Sequence, residues 1–109
     1  MIEMFRIQNH GQIRERIATE GELEIFDALC SMIKSDPEPE LVRKSDAYVT
    51  MVIGEWDFAR IKYTNRAKWV KFPIIERSTV KHEIDDPSDV FGLSDLVEKS
   101  AIHLQRFSG

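Results

Sequence analysis

Between residues 56 and 71 the chain interleaves cations with aromatic rings: Trp56, Phe58, Arg60, Lys62, Arg66, Trp69 and Lys71. Flat rings stack on bases, and guanidinium and ammonium groups bind phosphate, so this mixture offers recognition rather than bond-breaking. The other groupings offer less. Glu83, Asp85, Asp86 and Asp89 crowd together and could hold a divalent cation. Their spacing is not that of an EF-hand loop, and the same acids suit a helix start, where the dipole favours them. His10, His82 and His103 stand in no zinc-ligand spacing with Cys30. Cys30 falls on an apolar helical stripe, the place of a small core residue rather than a nucleophile. No G-x-S-x-G, P-loop or dinucleotide fingerprint occurs. Asp57 and Lys62 would point to opposite faces of a regular strand, which spoils a nuclease-like acid–lysine pair. The sequence therefore predicts a non-enzymatic protein with no catalytic residues, metal or cofactor.

These side chains need a β-hairpin to position them. Ala47–Ile53, Trp56–Tyr63 and Ala67–Ile74 read as three strands, with turns at Gly54-Glu55 and Thr64-Asn65-Arg66 and a short edge at Glu40–Lys44. A two-residue Asn65-Arg66 turn sets Lys62 opposite Trp69, Arg60 opposite Lys71 and Ile61 opposite Val70. Ala59, Ile61, Tyr63, Val70 and Phe72 then form a core face, and Trp56, Phe58, Arg60, Lys62, Trp69 and Lys71 form the other. Arg60 against Lys71 is mildly destabilising unless something anionic lies over the pair. A strict two-residue Gly54-Glu55 turn gives the opposite assignment: Val49, Met51 and Ile53 share a face with Phe58, and the Trp/Phe face becomes the core. On the first register that face could equally be an ordinary solvated one, with the tryptophans packed under long lysine stems.

Helices flank the strands. Thr19-Glu20-Gly21-Glu22 is a capping box, followed by an apolar stripe of Leu23, Phe26, Leu29, Cys30 and Ile33 that should stop near Lys34, before Asp36-Pro37. Residues 10–18 read as a shorter helix carrying Ile13 and Ile17, and residues 2–8 fit either a strand or a helical lead-in. Asp86-Pro87-Ser88-Asp89 starts a C-terminal helical region in which Gly92 would close a single turn. Leu93, Leu96, Val97, Ala101, Leu104 and Phe107 supply its stripe. The expected fold is α+β: an antiparallel three- to four-stranded β-meander with N- and C-terminal helices packed on one face. The 109 residues fit one domain, with an N-terminal helical region at 1–36, the β-meander at 41–75 and a C-terminal helical region at 86–107. No apolar run spans a membrane and no signal peptide is visible. With one cysteine, an internal disulfide is excluded and a cytoplasmic protein is expected. The net charge of −4 is segregated: residues 1–40 carry 4 basic and 9 acidic side chains, 41–72 carry 7 and 3, and 73–109 carry 4 and 7.

The runs AYVTMVIGEWDFARIKYTNRAKWVKFP and VKHEIDDPSDVFGLSDLVEKSAIHL together resemble small bacterial α+β domains near the YjbR-type double-wing group. The resemblance covers residues 41–105 and implies a binding module that occurs alone or attached to DNA-related proteins. It brings no functional residues with it. Two readings follow. In the first, the basic and aromatic hairpin contacts nucleic acid or an acidic protein surface. In the second, a phage or other mobile element encodes an inhibitor of a host nuclease or defence complex, in the manner of an anti-CRISPR protein. Its acidic segments 20–40 and 83–98 would then imitate phosphate. A metal-using enzyme built on the acids at 83–89 is a third, weaker alternative. An exposed Trp/Phe face would equally serve as a homodimer seam.

Overall fold

Thr19 caps the first helix as its sequence demands. Its hydroxyl accepts the Glu22 N–H at 3.2 Å, and the Glu22 carboxylate accepts the Thr19 N–H at 2.9 Å. Helix α1 (Glu20–Ser31) then presents Ile25, Phe26 and Leu29 at helical spacing, all buried, and ends three residues short of Lys34 with Met32 as its cap. The computed structural model describes residues 6–7, 18–35, 38–43, 47–77 and 79–108. The short helix expected at 10–18 lies, apart from Ala18, outside those residues.

Six antiparallel strands pair in sequence order: β1 (Arg6–Ile7), β2 (Glu40–Val42), β3 (Val49–Ile53), β4 (Trp56–Tyr63), β5 (Lys68–Lys71) and β6 (His82–Glu83). This is the expected meander with a two-residue strand added at each edge. A 3-10 helix (Pro87–Leu93) follows and leads directly into α2 (Ser94–Ser108), so Gly92 does not end the turn there. The strand face formed by Leu41, Val49, Met51, Ile53, Ala59, Ile61 and Val70 packs against both helices in one core, with Val90, Val97 and Leu104 on the helical side. The fold is α+β with both helices on one face of the sheet.

A bulge decides between the two registers. Ile53 pairs with Trp56 and Val52 with Asp57 around a two-residue turn in which Gly54 takes φ 64°. The register then shifts, so that Met51 pairs with Ala59. Phe58 is the extra residue, and a bulge of this kind turns two successive side chains to one side. Phe58 and Ala59 are both fully buried in the core. The expected place of Phe58 beside Arg60 and Lys62 is therefore corrected.

Asp86 caps the 3-10 helix and Asp89 completes a second capping box, accepting the N–H groups of Asp85 and Asp86 at 3.0 Å each. The Ser88 hydroxyl, and then the Ser88 N–H, donate to Asp86 and hold its carboxyl below its ordinary value of 3.8. A depressed pKa in the folded state adds stability that is complete above about 3.8 and disappears as pH falls through the lower folded value. Thermal unfolding followed from about pH 5 to about pH 2 should show a smaller acid loss in Asp86→Asn than in the parent.

Candidate functional site

On the sheet face away from the helices, Arg60 pairs with Lys71 and Lys62 with Trp69, the pairing that a two-residue turn predicts. The four side chains share a face, but they are occupied with one another and with Tyr48. The Tyr48 and Trp69 rings meet at 6.0 Å, tilted by 55°. The Arg60 guanidinium sits 5.5 Å from the Tyr48 centroid and the Lys71 ammonium 4.9 Å from the Trp69 centroid. Each cation thus faces the negative face of a ring, which offsets the Arg60–Lys71 repulsion without an external anion. Lys62 donates to the Ala47 carbonyl at 2.8 Å, and Arg60 lies 3.6 Å from Asp57.

Trp69 retains only 9% of its surface in contact with solvent, so its ring is no open stacking platform. Nor is this face uniformly basic. The registers bring Glu40, Asp57 and Glu83 to it, opposite Val52 and Trp69. Three carboxylates then stand against Arg60, Lys62 and Lys71. Of the other expected contact residues, Phe58 is core, Trp56 is 42% exposed at the end of its hairpin opposite Ile53, and Arg66 is exposed in the β4–β5 turn.

Two further surfaces come from residues distant in sequence. At the β4–β5 turn, a cleft is lined by Arg66, Lys68, Trp69, Lys81, Glu83 and Asp85. On the helical side, a groove runs between α1 and the 3-10 helix, lined by Glu24, Asp27, Ala28, Ser31, Asp86, Pro87, Ser88 and Phe91. Phe91 is 51% exposed there, and Ile102 on α2 is 47% exposed. Around them the helical layer exposes Glu20, Glu24, Asp27, Asp86, Asp89, Asp95 and Glu98. Lys99 is the only lysine or arginine among the described side chains of α1, the 3-10 helix and α2. The charge segregation seen along the chain becomes a difference between surfaces. Sequence patterning did not single out Phe91, although an aromatic among acids just before an amphipathic helix is a usable signal.

The remaining candidates have structural work. Among the described residues no cluster of three or more metal-ligating side chains converges, and Asp86 and Asp89 serve as caps. His82 bonds Glu76 at 2.7 Å. Cys30 is a half-buried thiol, in no disulfide, on the rim of the core. Among the described residues no helix is long and apolar enough to cross a membrane. Comparisons with known protein families, with curated proteins and with solved structures find no match.

Proposed function

We propose that the chain is a non-enzymatic protein-binding module that presents its acidic helical layer to a basic surface on a partner. The supporting observation is the exposure of Phe91 in a groove walled by Glu24, Asp27 and Asp86, within a layer whose described cations reduce to Lys99. An exposed aromatic with a charged rim is the anatomy of a binding hot spot: the ring supplies affinity, and the surrounding charges steer and select. A basic groove that otherwise holds phosphates is the complementary shape of charge. Inhibition of a nucleic-acid-processing enzyme by imitation of its substrate is the form of the activity this favours, and a binding module is also what the YjbR-type likeness implies.

The sheet face is less suited to this task, because its cations are engaged with Tyr48, Trp69, Asp57 and the Ala47 carbonyl. The test uses the chain as bait to isolate a partner, followed by titration of the purified pair. Phe91→Ala should weaken binding about tenfold or more. Glu24→Lys combined with Glu98→Lys should slow association and flatten its salt dependence. If Phe91→Ala and the lysine variant both bind like the parent, the helical layer is not the contact surface.

A further inference from the structure

The cleft at the β4–β5 turn is a separate surface from the helical layer, and its chemistry stands independently. Arg66, Lys68 and Lys81 line it together with Glu83 and Asp85. Opposite charges around a small concavity usually collapse into salt bridges. Here none of the five pairs with another within 4.0 Å among the described residues, in contrast to Arg43–Glu22, Arg60–Asp57 and His82–Glu76, which do form ion pairs. Lys68 instead lies 5.0 Å from the Tyr63 centroid. Arg66, Lys81, Glu83 and Asp85 are all exposed. The backbone fixes the spacing that keeps the charges apart: the Thr64 N–H donates to the Ala67 carbonyl at 2.9 Å, closing the turn, and the Ile84 N–H donates to the Lys68 carbonyl at 3.1 Å, fixing the acidic wall.

A purely anionic ligand would meet two carboxylates, and a purely cationic one three cations. The arrangement suits a ligand with an anion at one end and N–H donors at the other. We propose that this cleft binds a nucleotide, with phosphate on Arg66 and Lys81 and an exocyclic amino group of the base on Glu83 or Asp85. Guanidinium and ammonium are the usual partners of phosphate oxygens, and carboxylates accept from the amino group of cytosine. Bases without an exocyclic amine, uracil and thymine, leave the carboxylates unmatched. Trp69 lies in the lining and reports on occupancy. The same chemistry is carried by a free nucleotide and by a single strand.

The experiment follows tryptophan fluorescence in Trp56→Phe, which leaves Trp69 as the sole tryptophan. The probes are CMP, UMP, inorganic phosphate, and ten-residue oligomers of cytidylate and uridylate. CMP should bind at least fivefold more tightly than UMP or phosphate, with binding weakened by salt. Arg66→Glu should weaken CMP about tenfold, and Glu83→Gln together with Asp85→Asn should remove the preference for CMP over UMP. Circular dichroism confirms that each variant is folded. An oligocytidylate bound tenfold more tightly than CMP identifies a single strand as the ligand, and equal affinity identifies the free nucleotide. Equal affinity for CMP, UMP and phosphate, no response to any probe, or an unchanged Arg66→Glu variant each overturns the proposal. These measurements use the isolated chain, so they stand or fall apart from partner binding at Phe91.

Discussion

Glu22→Ala should lower the stability of the fold by about 3–5 kcal/mol, the usual effect of removing one member of a buried ionic network. Glu22 is 1% exposed, and its carboxylate collects three donors from three separate segments of the chain. One oxygen accepts the Thr19 N–H at 2.9 Å and Arg43 at 3.3 Å, and the other accepts the Tyr63 N–H at 3.0 Å. Alanine leaves these buried donors without their acceptor. For a domain of this size the melting temperature should fall by about 15–25 °C by calorimetry, and urea unfolding should report the free-energy loss directly. Glu22→Gln keeps the shape and one acceptor but turns an NH₂ group toward a donor, so it should lose less than alanine and still lose stability. A Glu22→Ala protein within about 1 kcal/mol of the parent would mean that these bonds add nothing to the fold.

Gly21→Ala should destabilise the protein by about 2–3 kcal/mol, although alanine is the better helix former by about 1 kcal/mol. A Cβ at position 21 would lie 2.0 Å from Cδ1 of Tyr63 and 2.7 Å from its Cγ, in the body of the ring rather than at its tip. The ring cannot swing away freely, because the Tyr63 hydroxyl donates to the Asp85 carbonyl at 2.7 Å and Lys68 lies against its face. The Thr19 hydroxyl, meanwhile, donates to the Tyr63 carbonyl at 2.7 Å. The diagnostic result is a change of sign. In a Tyr63→Ala background the obstacle is gone, and Gly21→Ala should become neutral or stabilising by up to about 1 kcal/mol. If the substitution costs the same in both backgrounds, the close approach of helix and ring is not its cause.

Local rules were enough for the helix starts and for one register. Thr19–Glu22 and Asp86–Asp89 are capping boxes whose spacing is written in four residues, and both form. The β4–β5 register follows from the length of one turn. At the sheet's edges, Arg6–Ile7 takes the strand alternative offered for residues 2–8, whereas His82–Glu83 was not legible, because a two-residue strand has no periodicity to detect. The bulge was legible in retrospect. In Trp56-Asp57-Phe58-Ala59-Arg60-Ile61 the apolar positions fall at 56 and 58, then at 59 and 61, and that slip of phase is what a bulge writes into a strand.

The candidate surfaces were less legible, for a physical reason. Composition placed Arg60, Lys62, Trp69 and Lys71 together, but what they do is set by residues from elsewhere: Tyr48 from the segment before β3, and carboxylates from β2 and β6. The cleft needs Lys81 and Asp85 to flank β6, and the groove needs α1 beside the 3-10 helix. Both are products of tertiary closure, which alternation within a strand cannot reveal.

The strand order has a kinetic consequence. The β2–β3, β3–β4 and β4–β5 pairings close short loops and should form early, whereas the β1–β2 pairing must close over the first helix. The bond from Tyr63 to Glu22 spans 41 residues and Thr19 to Tyr63 spans 44, and they tie the first helix to the far end of β4. Loop closure over such distances is made late, after the hairpins have reduced the effective separation. Damage at Gly21 or Glu22 should then appear almost wholly as faster unfolding, with the refolding limb of the chevron unmoved. The first helix is accordingly a latch, and the lifetime of the native state is set by how firmly Tyr63 holds it.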